Sequence, residues 1–549
     1  MEGVNLSPRS AWQFAAIAAV AVLGWKFGRM QSPEPARPAF KPALPLSFPV
    51  ADAPQIAAPE QEAAPEGQII YKGKVLRDPK AFMLGALSGQ RALRFANRGA
   101  MEKFLERAQG RFPIMDRQDG MLSLRIRVED PAGLDELLDG SEEQGFVFPV
   151  IPPNPRGGEV QANAVPVGEG LLEWLGVQKV DKSWGAGVKV AVLDTGVAQH
   201  TTFKAEVKNV MIVESAIAPQ AWNGHGTAVA SLITGSLPEA QGVAPGAELT
   251  SYRVADDKGR SDTWSVAVAI RRAADDGNQI ISISMGSYGD SPLVREAVGY
   301  ALGKGVVLVA SSGNDSYEKP TYPAAYPGVV KAVAVDASGE HLLFSNAADE
   351  SAISAPGWAV NAAYPEEKLV EFSGTSASAP IIAGAVAAVM TKAGKNGERL
   401  SANEALELVF AYTNELGAAG PDAQTGAGGL SLGRILRRDT LGILDAALAS
   451  QVIYPASGNE SGSVEVNVQN QGTSPLANIP FSVATPTGVS QFSINTLAPG
   501  AVHTVRVPLP APLFLTGAEV GVYSRITRPD MDAGNNARKT VFTPPVAKQ

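Results

Sequence analysis

The 549-residue sequence contains no cysteine. Disulfide staples, thiol catalysis and zinc sites built on thiolates are therefore excluded, while the compartment stays open. Histidine is also scarce, with only His200, His225, His341 and His503 as sources of imidazole chemistry. Lysine and arginine are in deficit. The 46 basic against 55 acidic residues give a net charge of −9, so there is no electrostatic case for nucleic acid, which needs clustered cations. Unbroken apolar runs are short. Ala11 to Trp25, interrupted only by Gln13, covers 15 residues where a spanning helix needs about 20.

What is present is a set of short chemical segments. Ser373-Gly374-Thr375-Ser376-Ala377-Ser378-Ala379-Pro380 sets a serine between a glycine turn and a long small-residue helix, with Pro380 in the first helical turn, where a missing N–H costs little. Upstream lie Asp194, closing the apolar run Val190 to Leu193, and His225 in Asn223-Gly224-His225-Gly226-Thr227. The order Asp, His, Ser is one of the linear arrangements of the serine-hydrolase triad. A serine hydroxyl is a weak nucleophile, so an imidazole must take its proton, and a carboxylate must fix the imidazole tautomer. Ser376, His225 and Asp194 are the candidates for those roles.

Each residue alone has a plainer reading. Ser376 fits a helix N-cap, and His225 a structural histidine at a helix start. Asp194-Thr195-Gly196 also fits an aspartic-protease strand, but that chemistry needs two such carboxylates and no second Asp-Thr-Gly or Asp-Ser-Gly occurs. Val306 to Ala310 is an apolar strand running into Ser311-Ser312-Gly313-Asn314, where Asn314 offers an amide to a developing oxyanion. By itself Gly313-Asn314 is an ordinary turn. A second donor would be the backbone N–H of Ser376 at its helix start.

Together the four segments resemble the subtilisin-like serine proteases, or subtilases. Further agreement comes from Gly242-Val243-Ala244-Pro245, Tyr322-Pro323-Ala324-Ala325-Tyr326-Pro327-Gly328 and Ala355-Pro356-Gly357. The resemblance implies a serine endopeptidase acting on protein or peptide substrates, with Asp194, His225, Ser376 and Asn314 catalytic. It also implies a primary pocket walled by Ser284, Met285, Gly286 and Ser287 and by Ser311, Ser312 and Gly313, and a peptide-pairing edge over Lys258 to Asp262 that includes Gly259. Asp315 beside that pocket is read as a solvated turn carboxylate rather than as a selector for basic residues. No cofactor is required for the chemistry. Two departures stand out: Ala228 lies where classical members often carry a second histidine, and the short loop 235–241 lacks the oxygen ligands a structural calcium needs. The competing class is a binding or adhesion protein on a degenerate protease scaffold.

Apolar runs at Val188 to Leu193, Ile280 to Ile283 and Val306 to Ala310 predict strands buried on both faces, alternating with helices over Trp264 to Ala274 and Leu293 to Leu302. The fold class expected is α/β, a doubly wound and mostly parallel sheet over residues 170–451. Before it, residues 1–28 read as a signal or membrane anchor, 29–67 as a Pro/Ala-rich linker, and the whole as an exported, envelope-bound or secreted protein. Residues 68–153 read as strand Gln68 to Lys72, helix Ala92 to Ala108, hairpin Ile114 to Val128, helix Gly133 to Leu138 and strand Phe146 to Ile151. That is a ferredoxin-like α+β pattern. Its position resembles the inhibitory propeptide of subtilases, an intramolecular partner released by self-cleavage within the processing linker 154–169; the alternative reading is a permanent accessory domain. Residues 452–549 alternate apolar and polar between Gly, Pro and Asn turns, the pattern of an immunoglobulin-like β-sandwich.

Overall fold

The computed structural model describes residues 69–71, 74–76, 79–152, 164–394, 397–456, 461–515 and 517–543. The readings for 1–28, 29–67 and most of 154–169 lie outside the described residues. Two compact units divide at Leu76. In the first, Ile69–Tyr71 pairs antiparallel with Lys74–Leu76. The second runs from Arg77 onward and holds all that follows.

Seven parallel strands form its central sheet, in the order Ala352–Pro356, Val330–Val335, Val307–Ser311, Ile280–Ile283, Lys189–Asp194, Glu248–Arg253 and Lys208–Met211. Strand pleating, with both faces covered, explains why the inner strands from Lys189, Ile280, Val307 and Val330 are buried along nearly their whole length. Val190 and Val192 face one side, where His225–Thr234 and Thr375–Lys392 pack, while Ala191 and Leu193 face Thr263–Asp275 and Pro292–Gly303 on the other. This is the doubly wound α/β sheet predicted. After Lys189–Asp194 the chain goes to the edge strand Lys208–Met211, comes back between them as Glu248–Arg253, and then builds outward from Ile280–Ile283 on the other side. The strand order therefore reverses at that pair, and the crevice beyond their carboxyl ends is where such sheets bind ligands. Asp194 and Ser284 stand on its two lips.

The N-terminal sheet has the antiparallel order Ile114–Gln118, Ser123–Arg127, Gln90–Phe95, Glu142–Phe146. Two helices, Arg98–Ala108 and Pro131–Leu137, cross it over a core of Leu93, Phe95, Met101, Phe104, Leu124 and Ile126. The element order matches the reading from sequence; the positions of the first and last strands do not, since Glu142–Phe146 is the last strand of the sheet and Pro149–Val150 pairs elsewhere, with Ser261–Asp262. Gln90–Phe95 takes the first place, and the residues read as the helix start, 92 to 95, are not helical. Asn97 is the cause. Its side chain accepts from Ala100 N–H at 2.9 Å, so the helix can begin only at Arg98.

The C-terminal region folds as two sheets, one of three strands and one of four, around Val464, Val466, Phe481, Val483 and Val522. Its first strand, Ala446–Tyr454, starts six residues before the predicted boundary, because Ala446 and Leu448 already belong to that core. It is fastened to the parallel-sheet domain through Gln469, which accepts from Glu415 N–H, through Glu465, which accepts from Ala419 N–H, and through the Arg538–Glu340 pair at 2.6 Å.

Candidate active site

Asp194 is the last residue of a central strand and is fully buried. His225 opens the helix His225–Thr234, its own N–H donated to Asn223 Oδ1 at 3.0 Å. The two meet in the crevice: His225 Nδ1 lies 2.9 Å from Asp194 Oδ1 and 3.1 Å from Oδ2. Thr195 ties the turn after Asp194 to the helix start, donating its hydroxyl to Asn223 C=O and accepting from Gly226 N–H. Phe372 covers the imidazole edge-on at 5.2 Å between ring centroids.

Ser376 is the second residue of Thr375–Lys392, a helix buried through most of its length. Gly374 caps it at φ +114°, a conformation side-chain-bearing residues rarely adopt, and this turn delivers the serine into the crevice. The expected contact in series stops short here. Among the described residues His225 Nε2 has no hydrogen-bond partner, and Ser376 Oγ donates instead to Ser284 C=O at 3.1 Å. Ser284 Oγ returns a bond to Ser376 C=O at 2.9 Å. The structure thus joins carboxylate to imidazole and leaves the hydroxyl turned to the strand end beside it.

Asn314 follows the strand Val307–Ser311 and is 2 % exposed. Its Oδ1 accepts from both the N–H and the hydroxyl of Thr375, at 2.9 and 2.8 Å. With the oxygen so occupied, the amide's N–H₂ end is directed away from Thr375. Thr375, Phe372, Thr195 and Asn223 are site residues that the sequence reading passed over. Thr195, Asn223 and Thr375 adjoin the motif residues in sequence, which was the available signal.

The expected pocket walls also gather here. Met285, Ser311 and Ser312 are fully buried, the hydroxyls of Ser311 and Ser312 without partners among the described residues. Gly286 is occupied: it exchanges two backbone hydrogen bonds with Ile151, at 3.1 and 3.2 Å. Pro149–Val150 pairs antiparallel with Ser261–Asp262, and Phe148 bonds Thr263 through both backbone and side chain. The chain's own segment from Phe148 to Pro152 therefore lies as an extended strand between the two rims. It ends in a cleft of about 440 Å³ lined by Pro152, His225, Ala228, Gly259, Tyr364 and Phe372. Asp315 is exposed, and its carboxylate accepts from Tyr288 O–H at 2.7 Å, a bond that together with burial holds the phenol proton on.

A profile of the subtilase family matches residues 185–428. Thermitase of Thermoactinomyces vulgaris is 34 % identical over 231 residues, covering 41 % of this chain and 82 % of thermitase. The chain belongs to the subtilase family. Subtilisin BL of Lederbergia lenta is 36 % identical over 38 % of this chain and 78 % of its own length. A thermostable alkaline protease of Halalkalibacterium halodurans is 37 % identical over 38 % of this chain, which spans only 58 % of that protein. In fold, the subtilase is similar to the epidermin leader peptide processing serine protease of Staphylococcus aureus, at a TM-score of 0.51 and 20 % identity over 64 % of this chain and 99 % of that one. Subtilases are serine endopeptidases, and peptide or protein is the substrate class the family implies.

Proposed function

We propose that this subtilase hydrolyses peptide bonds through Asp194, His225 and Ser376, with Asn314 and the Ser376 N–H receiving the oxyanion. One observation carries the reading: the Asp194 carboxylate on His225 Nδ1 forces the proton to that nitrogen and leaves Nε2 as the basic one, with no partner of its own among the described residues. For attack, Ser376 Oγ turns from Ser284 C=O to Nε2. The imidazole takes its proton as the C–O bond forms, and Asp194 stabilises the imidazolium. Asn314 Nδ2 and the helix-start N–H meet the carbonyl oxygen as it becomes negative. His225 then gives the proton to the departing amine, and water reverses the sequence on the acyl-enzyme.

The N-terminal domain is proposed as an inhibitory propeptide. Phe148 to Pro152 supports this, since it uses both rims that an extended substrate would use. Self-cleavage is assigned to the linker 154–169. Export, with residues 1–28 as signal or anchor, is the matching proposal for where the enzyme works, and the β-sandwich is assigned as a binding or spacing module, or else as a stabilising cap. Calcium is not required in this scheme. A fluorophosphonate probe tests the core of it: the purified protein becomes labelled at Ser376, and His225→Ala abolishes labelling. Equal labelling of the His225→Ala variant removes the mechanism. In Ser376→Ala, intact mass stays that of the uncleaved chain between the N-terminal and parallel-sheet domains; maturation of that variant in the absence of other proteases removes self-processing.

A further inference from the structure

Arg253 ends the strand Glu248–Arg253, next in register to Asp194, and is fully buried. Burial costs a guanidinium much of its hydration, and here it holds the group below its usual range. The compensation is incomplete, since Nε has no partner among the described residues. By the usual balance, an apolar side chain of similar volume would be as stable or more so. The bonds the guanidinium does make all run to segments flanking the cleft. Nη1 donates to Val213 C=O at 2.9 Å and Glu214 C=O at 3.2 Å, in the loop that leads to His225. Nη2 donates to the carboxylate of Asp257, one residue before the peptide-pairing edge.

Asp257 accepts in turn from Ser215 Oγ at 2.6 Å, and Ser215 accepts from Trp222 Nε1 at 3.1 Å. The Trp222 ring lies 4.9 Å beneath the guanidinium carbon and against Gly196, where a Cβ would come within 2.5 Å of the indole. Gly196 at φ +95° is thus the residue that lets Trp222 approach the Asp194 turn. Three segments converge on one side chain: the turn after the carboxylate, the approach to the imidazole and the loop before the edge strand. Resting on the protease reading above, we infer that Arg253 is a positioning residue that holds the peptide-pairing edge Lys258 to Asp262 in register with His225, so that extended substrates bind better than short ones.

The test is Arg253→Met in the purified full chain, incubated until its activity is constant and normalised by fluorophosphonate titration of Ser376. Two substrates are compared: a tetrapeptide anilide, succinyl-Ala-Ala-Pro-Phe p-nitroanilide, and a single-residue ester, N-acetyltyrosine ethyl ester. Asp257 has a side chain 33 % exposed, so it recovers hydration when its partner leaves, and Tm is expected to hold. Arg253→Met should raise KM for the anilide about tenfold with kcat within twofold, and leave the ester's kinetics unchanged. Asp257→Asn, which weakens the same link from its other side, should raise the same KM by less. Equal losses on both substrates, or none on either, overturn the inference. Failure of the wild type to turn over the ester overturns the protease reading instead.

Discussion

At the scale of residues, the site is a set of orientations imposed by neighbours. The proposed oxyanion role of Asn314 needs its nitrogen end to turn to the substrate, and Thr375 keeps the oxygen end by occupying it twice. Asn314→Ala should lower kcat by about 10²–10³ with KM little changed, the magnitude found for the equivalent loss in subtilisin, the namesake of this family. Steady-state kinetics on a peptide anilide decides it; a loss under tenfold would remove Asn314 from that role. Thr375→Val keeps the backbone donor and loses the hydroxyl. Its expected cost is about tenfold in kcat, the worth of one hydrogen bond near 1.4 kcal/mol. These orientations were the least legible part of the sequence. Asp194, His225, Ser376 and Asn314 stood out because each sits on a turn with a distinctive neighbourhood, whereas Thr375 looks like any helix-start threonine until its partner across 61 residues is known.

Elements were legible where burial dictated composition. Ile280–Ile283 and the strand from Lys189 coincide with their apolar runs because both faces of a parallel sheet are covered. The hairpin of Val360–Tyr364 with Lys368–Phe372 went unread, although it supplies Phe372 and Tyr364 to the wall beside His225. Apart from Pro365 its turn carries no usual signal: Glu366 and Glu367 adopt φ of +66° and +59°, positions that glycine or asparagine normally take. The surface pair Glu366–Lys368 contributes little in return. Glu366→Asn is therefore predicted to stabilise by roughly 0.5 kcal/mol, a rise of about 1 °C or more in Tm measured on the inert Ser376→Ala background. A lower Tm would show that the turn is not strained. In the same way the end of the N-terminal domain was read as a strand, but not its partners, since the register Ile151 to Gly286 depends on a rim 135 positions away. Arg125→Ala removes a pair of which both side chains are mostly buried, 2.8 Å from Asp262. Activity should appear sooner after expression of that variant than of the wild type, followed by anilide hydrolysis over time; an unchanged lag would mean that the pair does not hold the cleft shut.

At the scale of the whole molecule, the seam between the parallel-sheet domain and the sandwich is predicted to respond to pH. Glu415 is held up to about 7 by burial; the N–H groups of Gly420 and Leu416 oppose the shift, and the carboxylates of Asp422 and Glu465 add to it. Its ordinary value is 4.5, so between pH 4.5 and 7 the folded state keeps a proton that the unfolded chain has released. Stability from this group is complete below pH 4.5 and is lost as pH rises toward 7. His341, held down to about 4 by burial, has the opposite sign: its contribution is complete above pH 6.5 and is lost as pH falls toward 4. Comparing Glu415→Gln with the parent isolates the first effect. The variant's Tm should fall less between pH 4.5 and 7, read by calorimetry on the Ser376→Ala background, and parallel curves would place Glu415 outside the balance.

Asp262 has an oxygen in each of two allegiances. Oδ1 receives the Ser265 N–H and starts the helix Thr263–Asp275, while Oδ2 grips Arg125 of the N-terminal domain. Under the propeptide proposal, departure of that domain would leave the first oxygen anchoring the helix and the second facing water. The same proposed event would uncover the edge and make its lip one charge more negative, so newcomers bearing cations would find the opened groove more welcoming than the arginine-blocked one it replaced.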